Sequence, residues 1–191
     1  MSNKTKNTAI VGERILLRPP TKRDLAEFIA LSRASTRFHR GLVSPPTQPE
    51  QFIDYLNRSR RSDLASFLIC SSAGGAIAGA INLSQIFRGG FQNAYLGYYI
   101  GAPYAGKGLM TEAIKLVLRY AFSELKLHRL EANIQPENKA SIALVKRAGF
   151  TREGFSRRYL KICGRWRDHE RWAIIAEDWR AVQGSSARRV K

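Results

Sequence analysis

The chain has 191 residues, with 32 Lys and Arg against 15 Asp and Glu, and its formal net charge is +17. That length suits one domain, and 44% apolar with 25% charged residues is the balance of a folded globular chain rather than a disordered one. No apolar run approaches the ~18 residues of a membrane helix, the opening MSNKTKNTAIVGER has no apolar leader, and two Cys and three His in no CxxC or HxxxH spacing exclude a disulfide framework and a zinc site. A cytoplasmic protein with no membrane partner and no metal is therefore expected.

Residues 1–9 are polar and read as a flexible N-terminus, and 183–191 as a flexible basic tail, which leaves 10–182 as the domain. Arg14 to Arg18 (RILLR) predicts a strand ended by Pro19 and Pro20, and Thr21 with Asp24 three residues on opens a helix whose apolar face includes Leu25, Phe28 and Ile29. Thr47 and Glu50 repeat that signal before a second helix with Pro49 in its first turn and Phe52, Ile53 and Leu56 on its apolar face. Leu64–Ser72, Ala76–Ile86 and Asn93–Ile100 predict three strands, joined through Gly74-Gly75 and Gly89-Gly90 and so antiparallel neighbours. From Leu109 to Lys126 the apolar positions step by three and four, which predicts an amphipathic helix. Arg129–Gln135 follows as a strand, Ser141–Ala148 as a short helix closed by Gly149, and Thr151–Ile162 and Trp166–Ile175 as strands around a turn at Cys163-Gly164. The order βααβββαβαββ, without repeat or linker, describes one α/β (α+β) domain: a mixed, mostly antiparallel sheet of about seven strands flanked by four helices.

Between the third strand of that meander and the long helix lies GAPYAGKGLM. Gly101 to Lys107 spells GxxxxGK, but a P-loop continues with a Ser or Thr for magnesium, and here Gly108 stands there. The other reading uses backbone alone. Gly106 and Gly108 let the chain pass close to a ligand, and the free N–H groups of residues 106–111 open a helix whose positive end faces an anion. A glycine turn that merely joins strand to helix is the structural alternative.

A second segment, Asn138, Ser141, Leu144, Arg147, Gly149 and Phe150, spells NxxSxxLxxRxGF just after the strand Arg129–Gln135. With it the chain resembles the GCN5-related N-acetyltransferase superfamily, whose acetyl-CoA loop reads [QR]xxGx[GA] and whose next helix carries NxxSxxLxxKxGF. RGGFQNAYLGYYIG, GKGLM, HRLEANIQPENKAS, RAGFTREGF and GRWRDH look like the group that acetylates the N-terminal alanine of a ribosomal protein. The resemblance runs from Arg14 to about Trp179. It implies an acetyl-CoA site made by Ile100, Gly101, Ala105, Gly106, Lys107, Gly108, Leu109, Met110, Thr111, Asn138 and Ser141. The chain departs from the pattern at Ala105, at Met110 and at Val145, where many members carry the Tyr that protonates the departing CoA sulfur.

The same resemblance implies a cleft between the splayed strands Asn93–Ile100 and Arg129–Gln135, in which a backbone N–H near Ile100 or Gly101 stabilises the thioester oxygen as an amine attacks directly, a contact worth roughly 3 to 4 kcal/mol in other acyl transfers. Cys70 and Cys163 lie outside both motifs, so a covalent intermediate is not expected. An α-amine, with an ordinary pKa of about 8 against about 10.4 for lysine, is the easier acceptor to deprotonate. Glu131 is the candidate base, acting through a water, with an ion pair as the alternative. Ser141 is the candidate proton carrier to the thiolate, with a first-turn place beneath the cap Asn138 as the alternative. Tyr98, Tyr99 and Tyr104 are further candidates, and His39 and His128 show no partner in the sequence.

The leading expectation is transfer to a protein N-terminal α-amine, specifically the N-terminal alanine of a ribosomal protein. Acetylation of a small amine is opposed by residues 29–49, the expected acceptor lip, which hold three Arg and no acid. A basic RNA- or ribosome-associated module without catalysis is the third reading. Residues 146–171 hold nine basic residues against three acids, so an electrostatic RNA or ribosome contact is weighed there against a simply solvated face. A monomer and a dimer are both compatible with the sequence.

Overall fold

The chain enters its sheet through Ile10–Val11 (β1), antiparallel to Ile15–Arg18 (β2), where Ile15 and Leu17 are fully buried and Leu16 and Arg18 are half-buried. That is the period of two that RILLR predicts. The computed structural model describes residues 9–188, so most of the N-terminal segment and residues 189–191 lie outside the described residues. Eight strands form one sheet in the order β1-β2-β3-β4-β5-β6-β8-β7. The others are Ala65–Ser71 (β3), Ile77–Phe87 (β4), Asn93–Ile100 (β5), Arg129–Ile134 (β6), Thr151–Ile162 (β7) and Arg165–Ile175 (β8). All neighbours are antiparallel except β5 and β6. Parallel strands need a crossover, and Leu109–Arg119 (α4) supplies it.

Helices cover both faces. Leu25–Ala34 (α1) and Pro49–Arg58 (α3) bury Phe28, Ile29, Phe52, Tyr55 and Leu56, and most of these meet Leu68, Cys70, Ile77 and Ala80 of the sheet. Phe67 and Ile69, the alternate residues of β3, point to the other face, where α4 and Lys139–Arg147 (α5) bury Ala113, Ile114, Val117, Ile142 and Val145. Between α1 and α3, Thr36–His39 (α2) adds a turn that carries no apolar period of its own. The fourth strand-to-helix junction at the end, Ala176–Arg188 (α6), docks Trp179 on Phe122 with ring centroids 5.5 Å apart.

Several boundaries differ from the sequence reading. The long helix keeps α-geometry only to Arg119 and widens into a π-turn over Tyr120–Glu124, closed by Leu125 N–H to Tyr120 C=O at 2.9 Å. The capping signal of α3 sits one residue later than expected: Gln51 Oε1 accepts from the N–H of Gln48 at 3.2 Å as well as from Thr47. The backbone of α6 is helical from Ala176 through Arg188, past the boundary expected at 183. Trp179 anchors the start of that helix, a packing partnership that local composition does not reveal.

Asp24 joins β2 to α1. It is buried, its Oδ1 and Oδ2 accept from Arg18 Nη2 at 2.6 Å and Nη1 at 2.9 Å, and Oδ2 also accepts from Thr21 N–H at 2.6 Å. Burial alone would raise this carboxyl, but the bonds from Arg18 and Thr21 together outweigh it and hold it below its ordinary value of 3.8. A carboxyl lower in the folded state than in the unfolded one stabilises fully above the unfolded value, and loses that contribution as pH falls through the folded one. Asp24→Asn should therefore cost about 2 kcal/mol at neutral pH. In urea melts the gap from the parent should shrink at about pH 2; an equal gap at both pH values would remove Asp24 from this role.

Candidate active site

The site begins where β5 and β6 stop pairing. Their register runs Asn93↔Arg129, Ala94↔Leu130, Tyr95↔Glu131 and ends there, although β5 continues to Ile100 and β6 to Ile134. On its other edge β5 stays bonded to β4, and Gly101 N–H donates to Ala78 C=O at 2.7 Å. Bonded and non-bonded pairs alternate in an antiparallel ladder, so with residue 101 turned toward β4, the N–H and C=O of Tyr98 and Ile100 turn toward the opening. Of the two expected oxyanion donors, Gly101 is thus engaged elsewhere and Ile100 keeps an N–H facing the gap. Gly101 contributes by close approach instead: a Cβ there would lie 2.4 Å from Leu31 Cδ1 of α1.

Beyond β5 the chain makes a short 3-10 turn at Ala102–Tyr104 and then the glycine bend. Gly106 and Gly108 have φ of 73° and 78°, a region side chains enter at a cost, and Gly108 is the N-cap of α4. The first ladder bond of α4 is Glu112 N–H to Gly108 C=O at 3.2 Å, so the N–H groups that precede it converge on the bend. Arg14 braces this loop, donating from Nη1 to Lys107 C=O at 3.0 Å and from Nε to Glu112 Oε2 at 3.2 Å. A bend lined with N–H groups at a positive helix end, next to an arginine and Lys107, fits a diphosphate. An unpaired strand edge fits an extended, amide-bearing arm. The bend brings Ala105, Gly106, Lys107, Gly108, Leu109, Met110 and Thr111 together at one end of the opening, and Ile100 borders it at the other.

Across the gap, Asn138 Oδ1 caps α5 by accepting from Ser141 N–H at 3.1 Å, the first-turn arrangement weighed from the sequence. Ser141 has a second partner that the sequence does not show. Its Oγ lies 2.5 Å from Tyr98 Oη, so a hydroxyl pair spans from β5 to α5. Burial pushes the Tyr98 hydroxyl up to about 12, with the Ser141 bond pulling the other way, so it keeps its proton at neutral pH. Val145, where a tyrosine would be expected from the resemblance, is fully buried one helical turn beyond Ser141 on the same face. Tyr98 brings a phenol to that region from the opposite strand.

Glu131 stands at the vertex of the gap and is ion-paired. Its Oε1 accepts from Arg129 Nε at 2.9 Å and from Asn93 Nδ2 at 3.2 Å, while Arg129 also grips Glu153 of β7. Two residues on, and on the same face of β6, Asn133 buries an Oδ1 that has no partner, as does Asn93. Tyr104 stands at the loop with Lys107 Nζ 5.8 Å from its ring, and Tyr99 packs edge-on against Phe28 at 6.3 Å in the α1–α3 layer. Cys70 is buried, and its thiol is pushed up chiefly by that burial, whereas Cys163 is exposed and far along the β7–β8 turn. His128 faces Glu177 at 3.3 Å on the surface.

His39 is the residue that the sequence hid. It is buried at the end of α2, and its Nε2 lies 2.8 Å from Ile100 C=O. A carbonyl only accepts, so Nε2 carries the proton, and burial lowers the imidazole below its ordinary 6.5 despite the opposing effect of that carbonyl, which keeps the ring neutral at pH 7. His39 ties the acceptor lip to the peptide unit that borders the gap. A nearby Gln135, also buried, donates from Nε2 to Gly41 C=O at 2.9 Å and Leu42 C=O at 3.2 Å, fixing the same lip to the end of β6. His39→Ala should lower kcat by about tenfold to a hundredfold through misplacement of Ile100, with the KM for acetyl-CoA nearly unchanged. His39→Gln, which restores an N–H donor, should recover part of the loss; equal loss in both variants would assign His39 to packing alone.

Comparison with known proteins identifies the family of the chain. Residues 14–151 match the acetyltransferase (GNAT) domain family. The probable N-acetyltransferase YjcK of Bacillus subtilis (strain 168) is 35% identical over 175 residues, 87% of this chain and 97% of that protein. The [ribosomal protein uS5]-alanine N-acetyltransferase of Escherichia coli (strain K12) is 46% identical over 103 residues, and that match spans 54% of this chain and about half, 53%, of the relative. Among solved structures, Mycobacterium smegmatis RimJ in complex with CoA-disulfide superposes with a TM-score of 0.79 at 28% identity, covering 85% of this chain and 82% of that one.

Proposed function

The chain belongs to the GNAT acetyltransferase family and is an acetyl-CoA-using N-acetyltransferase, and we propose that its acceptor is the α-amine of a protein N-terminus, in particular an N-terminal alanine of a ribosomal protein. The observation that carries this reading is the mouth of the gap: it is bordered by residues 29–49, which bring Arg33, Arg37 and Arg40 and no acid. A polyamine would meet repulsion there, whereas a peptide with one α-amine would not. The partial match to the uS5-alanine enzyme supports the same choice.

Acetyl-CoA supplies the acyl group as a thioester. In the proposed reaction the Ile100 N–H holds the acyl oxygen and stabilises the charge that develops on it. Glu131, oriented by its bonds from Arg129 and Asn93, takes the amine proton through a water. Tyr98, backed by Ser141, returns a proton to the sulfur as the carbon–sulfur bond breaks. Ile100, Gly101, the 105–111 bend, Asn138 and Ser141 are the proposed cosubstrate contacts, with Gly101 acting by its lack of a side chain rather than by its N–H.

Incubation with acetyl-CoA and peptides that start with Ala, Ser or Met, with spermidine in parallel, should release thiol fastest on the Ala peptide. Faster turnover on spermidine would establish the small-amine alternative, and no turnover on any amine would favour a non-catalytic module. Tyr98→Phe should lower kcat by about a hundredfold. Since the Tyr98 hydroxyl lies near 12, kcat should show no alkaline fall below about pH 10. A fall near pH 8 would remove Tyr98 as the acid, and an unchanged acid limb in Glu131→Gln would remove Glu131 as the base.

A further inference from the structure

Past Glu170 the sheet loses a strand. The β6–β8 ladder runs from Arg129↔Ile175 to Ile134↔Glu170 and stops, whereas β7 and β8 remain paired from Ser156↔His169 out to Ile162↔Arg165. Residues 156–169 therefore leave the sheet as a two-stranded arm. Two-stranded ribbons bury little, and this one leaves Leu160 and Trp166 at 40% and 61% exposure, with Phe155 at its base at 46%.

Around these apolar groups stand Arg157, Arg158, Lys161 and Arg165, all exposed. Asp168 is the acid between 156 and 169, and its Oδ1 accepts from the backbone N–H of Arg158. The flanking acids are engaged elsewhere, Glu153 by Arg129 and Glu170 by Arg152 and the Trp172 indole. Among the described residues no ion pair reaches Arg157, Arg158, Lys161 or Arg165.

The distribution over the two faces decides what such an arm can hold. Leu160 is paired with Arg167, and Lys161 with Trp166. Successive pairs point to opposite faces, so Trp166 and the exposed Lys161 share one face, and Leu160 and the half-buried Arg167 the other. A membrane surface or a second copy of the chain buries one apolar face, and this arm has none. An acidic peptide would satisfy the cations but would leave the indole without a flat partner. Single-stranded RNA offers phosphates to the cations and unstacked bases to the aromatic ring.

We propose that the β7–β8 arm binds single-stranded RNA, with Arg157, Arg158, Lys161 and Arg165 on phosphates and Trp166 stacked on a base. The arm's tip adjoins the acceptor lip, where Cys163 Sγ lies 3.1 Å from Ser44 Oγ, so RNA held there flanks the mouth of the gap. The inference deepens the proposed function by placing the acceptor protein within an RNA-rich assembly, and its test does not depend on turnover.

Anisotropy with a short labelled single-stranded RNA of mixed sequence, titrated across salt, should give a slope of log K against log salt of about −3 from four phosphates. Changing Arg157, Arg158, Lys161 and Arg165 together to Gln should abolish most of that slope, and Trp166→Ala should weaken binding about tenfold with the slope kept. Both variants should acetylate a short peptide as the parent does. Salt-independent binding, parent-like affinity in the Gln variant, or equal retention of poly-glutamate would overturn the arm's assignment. RNA binding without turnover on any peptide would sink the proposed acceptor and leave the arm standing, and the reverse result would sink the arm alone.

Discussion

Hydrogen bonds left unmade between β5 and β6 beyond Tyr95↔Glu131 organise the rest of this molecule. Each strand is paired along its outer edge, β5 to β4 with one register shift and β6 to β8, so neither can shift to close the gap without breaking a ladder. Peptide groups that face such a gap need partners from outside the sheet. Part of that need is met by His39, which donates to the carbonyl of Ile100, while the Tyr98–Ser141 hydroxyl pair spans from β5 to α5 without engaging a peptide group. What remains, the Tyr98 peptide groups and the Ile100 N–H, is an edge shaped for a strand-like ligand.

The titratable side chains that engage β5 along that edge, Tyr98 and His39, are neutral. Tyr98 and His39 are both held in their uncharged forms, mainly by burial. Glu131 is paired with Arg129 at 2.9 Å, at the vertex where strand pairing ends. The positive end of α4 and Arg14 serve the other extremity of the cleft, where an anion would lie. The cleft thus has a helix N-terminus at one end and an unpaired polar strand edge leading from it, bordered by the segment that carries Arg33, Arg37 and Arg40.

Excess positive charge follows the fold rather than the sequence alone. Between Lys146 and Arg171, Arg152 and Arg171 lie along the paired part of the sheet, and Arg152 is matched with Glu170 at 3.5 Å. Arg157, Arg158, Lys161 and Arg165 fall on the arm beyond β6 and are left facing solvent. The same basic run is therefore part structural and part available to a partner, and the end of β6 divides the two.

Local patterns settled the elements and the loop. Alternation in RILLR, the three- and four-residue steps from Leu109, the Thr21–Asp24 signal and the glycines at 106 and 108 are properties of a few neighbouring residues, and such properties act wherever those residues are. The sequence by itself thus determined the family and the order of the main strands and helices from Ile15 on, but not β1, α2 or α6. Tertiary structure alone decided which N–H is free, because the antiparallel alternation that engages Gly101 and releases Ile100 depends on the register with β4. It also decided that His39 reaches Ile100 across 61 residues of chain and that Tyr98 meets Ser141 across 43. Contacts between residues so far apart carry no local signature: they exist only once the sheet fixes where each strand ends.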